Sequence, residues 1–204
     1  MIVYPLKSAI PYASASYALV CGKYFSVVDP SVDLCEALES TPELNGLTPK
    51  YVLLTHAHID HFLCIDSYVE QGMEVILSFE DTDKLAYPDR NAAFLFPTAP
   101  RGYFGPFTSV AGGDVIDIGG DKLEVISLPG HTSGSVAYVG CGSAFVGDTV
   151  FAYGYGRYDL YSGNGEQLFS SIKRVLSLPP ETVVYPGHGD SSTVEKIRSN
   201  FRFQ

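Results

Sequence analysis

Short apolar runs, rich in β-branched and aromatic residues and broken by glycine, proline and polar turns, recur along the chain. SYALVCGKYFSVVDP, residues 16–30, reads as two strands about a Gly22-Lys23 turn, ending at Asp29-Pro30. Residues 32–39 read as a short helix. YVLLT, residues 51–55, is a strand-like run that stops at HAHIDH. From His61 to Gln71 the spacing of Phe62, Ile65 and Val69, with Gly72 after it, predicts a helix. MEVILS, KLEVISL, SVAYVG, SAFVGD and TVVYPG all read as strands, and residues 166–178 form an amphipathic helix with apolar Leu168, Phe169, Ile172, Val175 and Leu176. Strands crowd both halves, helices fall between and after them, and strand does not alternate strictly with helix. That pattern predicts an α+β protein in which two sheets pack face to face under helices. Nothing marks a linker, a repeat or a low-complexity tract, so residues 1–204 are expected to form a single domain. The aromatic stretch 86–109, with Phe94, Phe96, Tyr103, Phe104 and Phe107, fits either core packing or a lid.

Composition supports a compact core: 46% of the 204 residues are hydrophobic and the mean hydropathy is +0.10. A net charge of −10, pI near 4.8 and dispersed Lys and Arg disfavour nucleic acid and anionic membrane surfaces as partners. The first 20 residues lack a basic segment followed by a continuous apolar run, so a cytoplasmic protein without membrane attachment is expected. Cys21, Cys35, Cys64 and Cys141 are widely spaced, which predicts free, buried thiols.

The histidines carry the chemical signal. The chain has 5, and each sits just beyond a strand-like run or opens the segment that follows one. His56 and His58 follow YVLLT, His61 comes three residues later, His131 follows KLEVISLPG, and His188 follows TVVYPG; Asp148 ends SAFVG in the same way. A lone histidine at a strand end is more often a hydrogen-bonded structural group. All of them at strand ends, most beside a second His or Asp, point to a metal centre presented by loops on a rigid scaffold. In an extended segment residues two apart project to one side, so His56 and His58 reach one ion while Asp60 and His61, at a turn, face another. His131 would complete the first site, His188 the second, and the two oxygens of Asp148 can bridge them. Imidazole and carboxylate donors suit zinc by default, with iron or manganese acceptable. Gly130, Gly134, Gly147, Gly187 and Gly189 are expected to supply positive φ in tight turns beside these donors. Ser133 and Ser135 read as turn hydrogen-bonders, since no G-x-S-x-G elbow surrounds them.

THAHIDH at 55–61, LPGHTSGS at 128–135, VGDTVF at 146–151 and YPGHG at 185–189 together resemble the metallo-β-lactamase superfamily, in order from about Val27 to Thr193. Asp148 stands where true β-lactamases often carry Cys, and His58 where flavodiiron-type domains carry Glu, so the chain is most similar to glyoxalase II-like hydrolases. The resemblance implies a four-layer αββα sandwich. It assigns His56, His58 and His131 to a first divalent ion, Asp60, His61 and His188 to a second, and Asp148 to both, with Asp60 also catalytic. The long form of glyoxalase II has a C-terminal helical domain that contacts glutathione, whereas this sequence ends at Gln204, shortly after His188. GYGRYD, residues 154–159, resembles a pocket loop of short relatives, making Tyr155 and Arg157 candidate substrate contacts. The implied activity is hydrolysis of a small-molecule acyl thioester or ester by hydroxide between two metal ions. Alternatives are a mononuclear iron persulfide dioxygenase using His56, His58 or its neighbour, His131 and Asp148, a lactonase or phosphodiester hydrolase, and a catalytically silent module. The intact Asp60, His61 and PGHG set favours two metals. The oligomeric state is left open.

Overall fold

A computed structural model describes residues 1–96 and 102–201. Its first sheet contains β1 (Ile2–Leu6), β2 (Ser16–Cys21), β3 (Tyr24–Val28), β4 (Thr48–Leu53), β5 (Glu74–Ser78) and β6 (Thr108–Val110), side by side in chain order. β1, β2 and β3 pair antiparallel, and β3 through β6 run parallel. A second sheet contains β7 (Val115–Asp117), β8 (Lys122–Ser127), β9 (Val136–Gly140), β10 (Ser143–Gly147), β11 (Val183–Pro186) and β12 (Ser192–Thr193), again in chain order, with only β10 and β11 parallel. The helices are α1 (Leu34–Ser40), α2 (Ile65–Val69), α3 (Thr82–Ala86), α4 (Gly165–Leu176) and α5 (Val194–Asn200).

Period-2 alternation divides each sheet between two buried surfaces. Along β2, Tyr17 and Leu19 enter a cluster shared with Leu123, Val125, Tyr138 and Phe145 of the second sheet, while Ala18 faces a different cluster containing Leu34 and Ala37 of α1 and Ile65 and Tyr68 of α2. A third cluster joins Ala144 and Val184 to Leu168, Ile172 and Val175 of α4 and Ile197 of α5. Helix, sheet, sheet and helix are therefore stacked as four layers around three apolar interfaces, the α+β sandwich expected. Side-chain caps start three of the helices: Asp33 accepts from Cys35 N, Asn164 from Gln167 N and Thr193 from Lys196 N.

The hairpin about Gly22 and the helices after residue 32 and from residue 165 form close to where the pattern places them. The predicted helix 61–71 does not. A 3-10 turn, Ile59–His61, comes first, non-helical Phe62 (φ −136) and Cys64 (φ −112) follow, and α2 begins only at Ile65. Helical periodicity of apolar residues reports burial here, and the local backbone follows the turn that aims Asp60 and His61 inward. β1, β6, β7, β12, α3 and α5 escape the pattern; β6, β7 and β12, of three residues or fewer, are too short for periodicity to register. No disulfide joins the four cysteines, but only Cys21 is buried; Cys35 lies on the open face of α1, Cys141 in the β9–β10 turn, and both are exposed, with Cys64 intermediate. Within 86–109, Tyr103 is buried, Phe96 and Phe107 pack against the first cluster, and Phe94 and Phe104 are exposed; positions 97–101 lie outside the described residues. Among the described residues no helix is long and apolar enough to cross a membrane.

Candidate metal centre

Four strands end at one edge of the sandwich and deliver the site. His56 and His58 follow β4, with Asp60 and His61 in the 3-10 turn beyond; His131 lies between β8 and β9; Asp148 directly follows β10; His188 follows β11. The structure brings all seven expected donors together. His131 Nε2 lies 3.1 Å from His56 Nε2 and 2.9 Å from His58 Nδ1. His188 Nε2 is 3.1 Å from Asp60 Oδ2, and His61 Nε2 is 3.7 Å from that oxygen. Asp148 stands between these groups, with Oδ1 3.5 Å from His61 Nε2, and Oδ2 3.6 Å from both His131 Nε2 and His188 Nε2. Three overlapping sets, His56–His58–His131, His56–His61–Asp148 and Asp60–His61–His188, each hold their ligand atoms within 4.8 Å.

Two observations test whether these residues fit metal ions. His61 Nε2 and Asp148 Oδ1 are buried without a hydrogen-bond partner, an arrangement native proteins seldom leave uncompensated. Three imidazoles meet nitrogen to nitrogen, which suits a shared cation better than mutual hydrogen bonding. The donors fit divalent ions of the zinc, iron or manganese kind.

Electrostatics separates the histidines. Burial, then the neighbouring His61 and His131, push His56 far below the usual imidazole range, and burial with His131 and His61 does the same to His58. Both are held neutral with lone pairs available. Burial also acts to lower His61, but Asp29, Asp60 and Asp148 outweigh it and hold its pKa well above the ordinary value. His188 rises more modestly, burial being offset by its hydrogen bond to Asp60 and the charge of Asp148. Burial works to raise Asp148, yet His61, His131 and His188 keep it well below the usual carboxylate range.

The far nitrogens of three histidines are also engaged. His56 Nδ1 lies 3.2 Å from Thr55 Oγ1, His131 Nδ1 bonds the carbonyl of Arg157 at 2.6 Å, and His61 Nδ1 bonds Asp29 Oδ2 at 2.9 Å. Such partners fix ring orientation and tautomer. Thr55 locks Asp29 in turn, donating from its backbone N–H at 2.8 Å and its hydroxyl at 2.7 Å. The sequence pattern places Asp29 only at a strand end. That position, shared with Asp148, is the available signal for its role. Gly134 and Gly187 do not have the positive φ expected of them, unlike Gly130, Gly147 and Gly189. Close approach explains Gly187, where a Cβ would sit 2.2 Å from Asp148 Oδ1.

A cleft of about 490 Å³ opens onto the cluster, floored by His58, Asp60, His131, Asp148 and His188. Tyr12 and Phe96, ring centroids 5.1 Å apart, line one part of it, and Phe151, Tyr155 and Leu160 another. Tyr155 and Arg157 both reach the cleft, Tyr155 leaning on Phe169, while the Arg157 guanidinium is engaged by Asp159 at 2.7 and 2.9 Å.

The model of the metallo-beta-lactamase superfamily matches residues 11–188. Hydroxyacylglutathione hydrolase of Photobacterium profundum is 36% identical over 167 residues, covering 82% of this chain and 58% of that protein. The chain thus spans little more than half the length of that relative. The crystal structure of BLEG-1 B3 metallo-beta-lactamase superposes with a TM-score of 0.87 at 29% identity, covering 97% of each chain. That of TTHA1623 in a di-iron-bound form gives 0.84 at 33% identity, covering 97% of this chain and 98% of that one.

Proposed function

The chain belongs to the metallo-β-lactamase superfamily, and we propose that it is a two-metal hydrolase of small acyl thioesters and related acyl esters. The observation that carries this reading is a donor cluster that divides into a three-histidine group and an Asp60–His61–His188 group, with Asp148 within reach of both. His56, His58 and His131 would hold one divalent ion, Asp60, His61 and His188 the other, and Asp148 both. Zinc is the default; iron is supported by the di-iron form of TTHA1623. Two such ions, when bound, supply Lewis-acid polarisation of an acyl carbonyl and a hydroxide at neutral pH.

The protein's own groups do the rest. Asp60, buried at the cleft floor, accepts a hydrogen bond from the attacking water and orients it. The aromatic and aliphatic walls exclude water from the acyl group and hold it over the cluster. A thiolate leaves without needing a proton, which suits a floor whose acid–base groups are all donors of the cluster. Tyr155 and Arg157, which line the cleft, would meet the distal part of the substrate.

The relative's activity, hydroxyacylglutathione hydrolysis, selects the first substrate. Purified protein loaded in turn with zinc, iron and manganese is expected to bind two ions per chain and to hydrolyse S-lactoylglutathione. Two bound ions with negligible turnover would discard that thioester and move the search to lactones and phosphodiesters. Failure to retain any ion would sink the metal-centre reading.

A further inference from the structure

A second buried carboxylate, outside the seven donors, lies between the loops that carry the three-histidine group. Asp81 ends the 3-10 turn Phe79–Asp81 that leads into α3 and is fully buried. Its Oδ2 accepts from the backbone N–H of Ala57, between His56 and His58, at 2.9 Å, and from the hydroxyl of Thr132, next to His131, at 2.8 Å. Its Oδ1 accepts from the backbone N–H of Gly134 at 2.8 Å. One carboxylate thus ties the loop after β4 to the loop after β8. Gly134 permits the approach, because a Cβ there would lie 2.5 Å from Asp81 Oδ1.

Lys84, 1% exposed, supplies the counter-charge. Its Nζ is 2.9 Å from Asp81 Oδ1 and donates to the Glu80 carbonyl at 3.2 Å and to Ser133 Oγ at 3.1 Å, with the Tyr161 ring 5.4 Å away. Among the described residues, the partners of this pair are on the turn before α3, the His131 loop or the His56–His58 segment, apart from the Tyr161 ring and the Asp83 carboxylate, 3.5 Å from Lys84 Nζ.

From this geometry we infer that Asp81, neutralised by Lys84, is a positioning residue that sets the separation of the two loops and so the spacing of His56, His58 and His131. The inference rests on the metal-centre reading above. The chemistry requires a carboxylate. Three donors and an ammonium converge on its two oxygens, whereas an amide would turn N–H groups toward donors. None of the hydrogen bonds described for Asp81 reaches Asp60, His61 or His188, so its loss acts on one group of the cluster and not the other.

The test is a cobalt(II) titration of metal-free protein, wild type against the double variant Asp81→Asn/Lys84→Met, followed by visible absorption and by total bound metal. The double variant strands no buried ammonium, and thermal unfolding of the metal-free form reports its fold. The expected result is two ions in the wild type and, in the variant, selective weakening by about tenfold or more of the ion held by the three histidines. Asp81→Glu, longer by a methylene, should not restore it. Thr132→Val removes one of the ties, leaves the ion pair intact, and is expected to weaken the same ion less; it carries the test if the double variant does not fold. Wild-type affinity for both ions in these variants, or equal weakening of both, overturns the inference. A wild type that takes one ion would refute the two-metal reading, while Asp81 would still be judged by the same loss at that ion.

Discussion

His61 shows how single residues in the cluster are set by opposed forces. Burial favours its neutral form, yet Asp29, Asp60 and Asp148 together hold the metal-free ring protonated well above the ordinary imidazole range, while His56 and His58 are pushed the other way. An incoming ion must therefore displace a proton from His61 but finds His56 and His58 already neutral. Because the His61 pKa is raised, metal affinity should rise with pH until that pKa is passed. Calorimetric titration of chelator-treated protein at neutral pH, in buffers of different ionisation enthalpy, should show net proton release. Asp29→Asn, which removes the first of the three raising charges, should reduce that release and weaken the ion by roughly 10- to 100-fold. Metal uptake with no released proton would contradict a protonated His61 in the metal-free protein. His58→Ala is expected to lose bound metal and several orders of magnitude in kcat/KM. The histidines were legible because the chain has so few and every one follows a strand. Asp29 carried only its strand-end position as a signal, and Asp81 none, since among 23 acidic residues no local pattern marks a carboxylate whose partners lie on distant segments.

At the scale of elements, α4 links folding to the site. Its buried stripe of Leu168, Ile172 and Val175 fills the cluster beneath the second sheet, and its N-terminus is clamped to the His131 loop. Asn164 N donates to the Gly130 carbonyl at 2.8 Å, and Ser171 Oγ to the Pro129 carbonyl at 2.7 Å. Gly130 has φ 137, and a Cβ there would sit 2.1 Å from Leu168 N. Leu168→Ala should cost about 2–5 kcal/mol by denaturant unfolding. Asn164→Ala, which removes the cap, should cost about 1 kcal/mol. If Leu168→Ala left the unfolding midpoint unchanged, the burial argument for α4 would be wrong. The pattern revealed α4 because three turns of alternating apolar and polar positions register as a period. It misled at 61–71 because apolar residues flanking a turn imitate that period over so short a stretch.

Across the whole molecule, the two sheets present the ends of β4, β8, β10 and β11 at one edge, and seven polar donors converge where the apolar layers stop. Bound ions would close that edge and stabilise the folded chain alone. At an ion concentration about 1,000 times its Kd, each site adds about 4 kcal/mol. Chelation should therefore lower the thermal midpoint, reversibly on returning metal, and an unchanged midpoint would speak against tight binding. Most of the longer strands, the layered class and the seven candidate donors could be read from the chain because alternation, turn residues and donor chemistry are local properties of a sequence. The carboxylate ties of Asp29 and Asp81 and the apolar walls of the cleft were decided by strand register and by the packing of one sheet on the other. Those contacts join residues far apart in the chain, and their energies exist only once the layers are assembled.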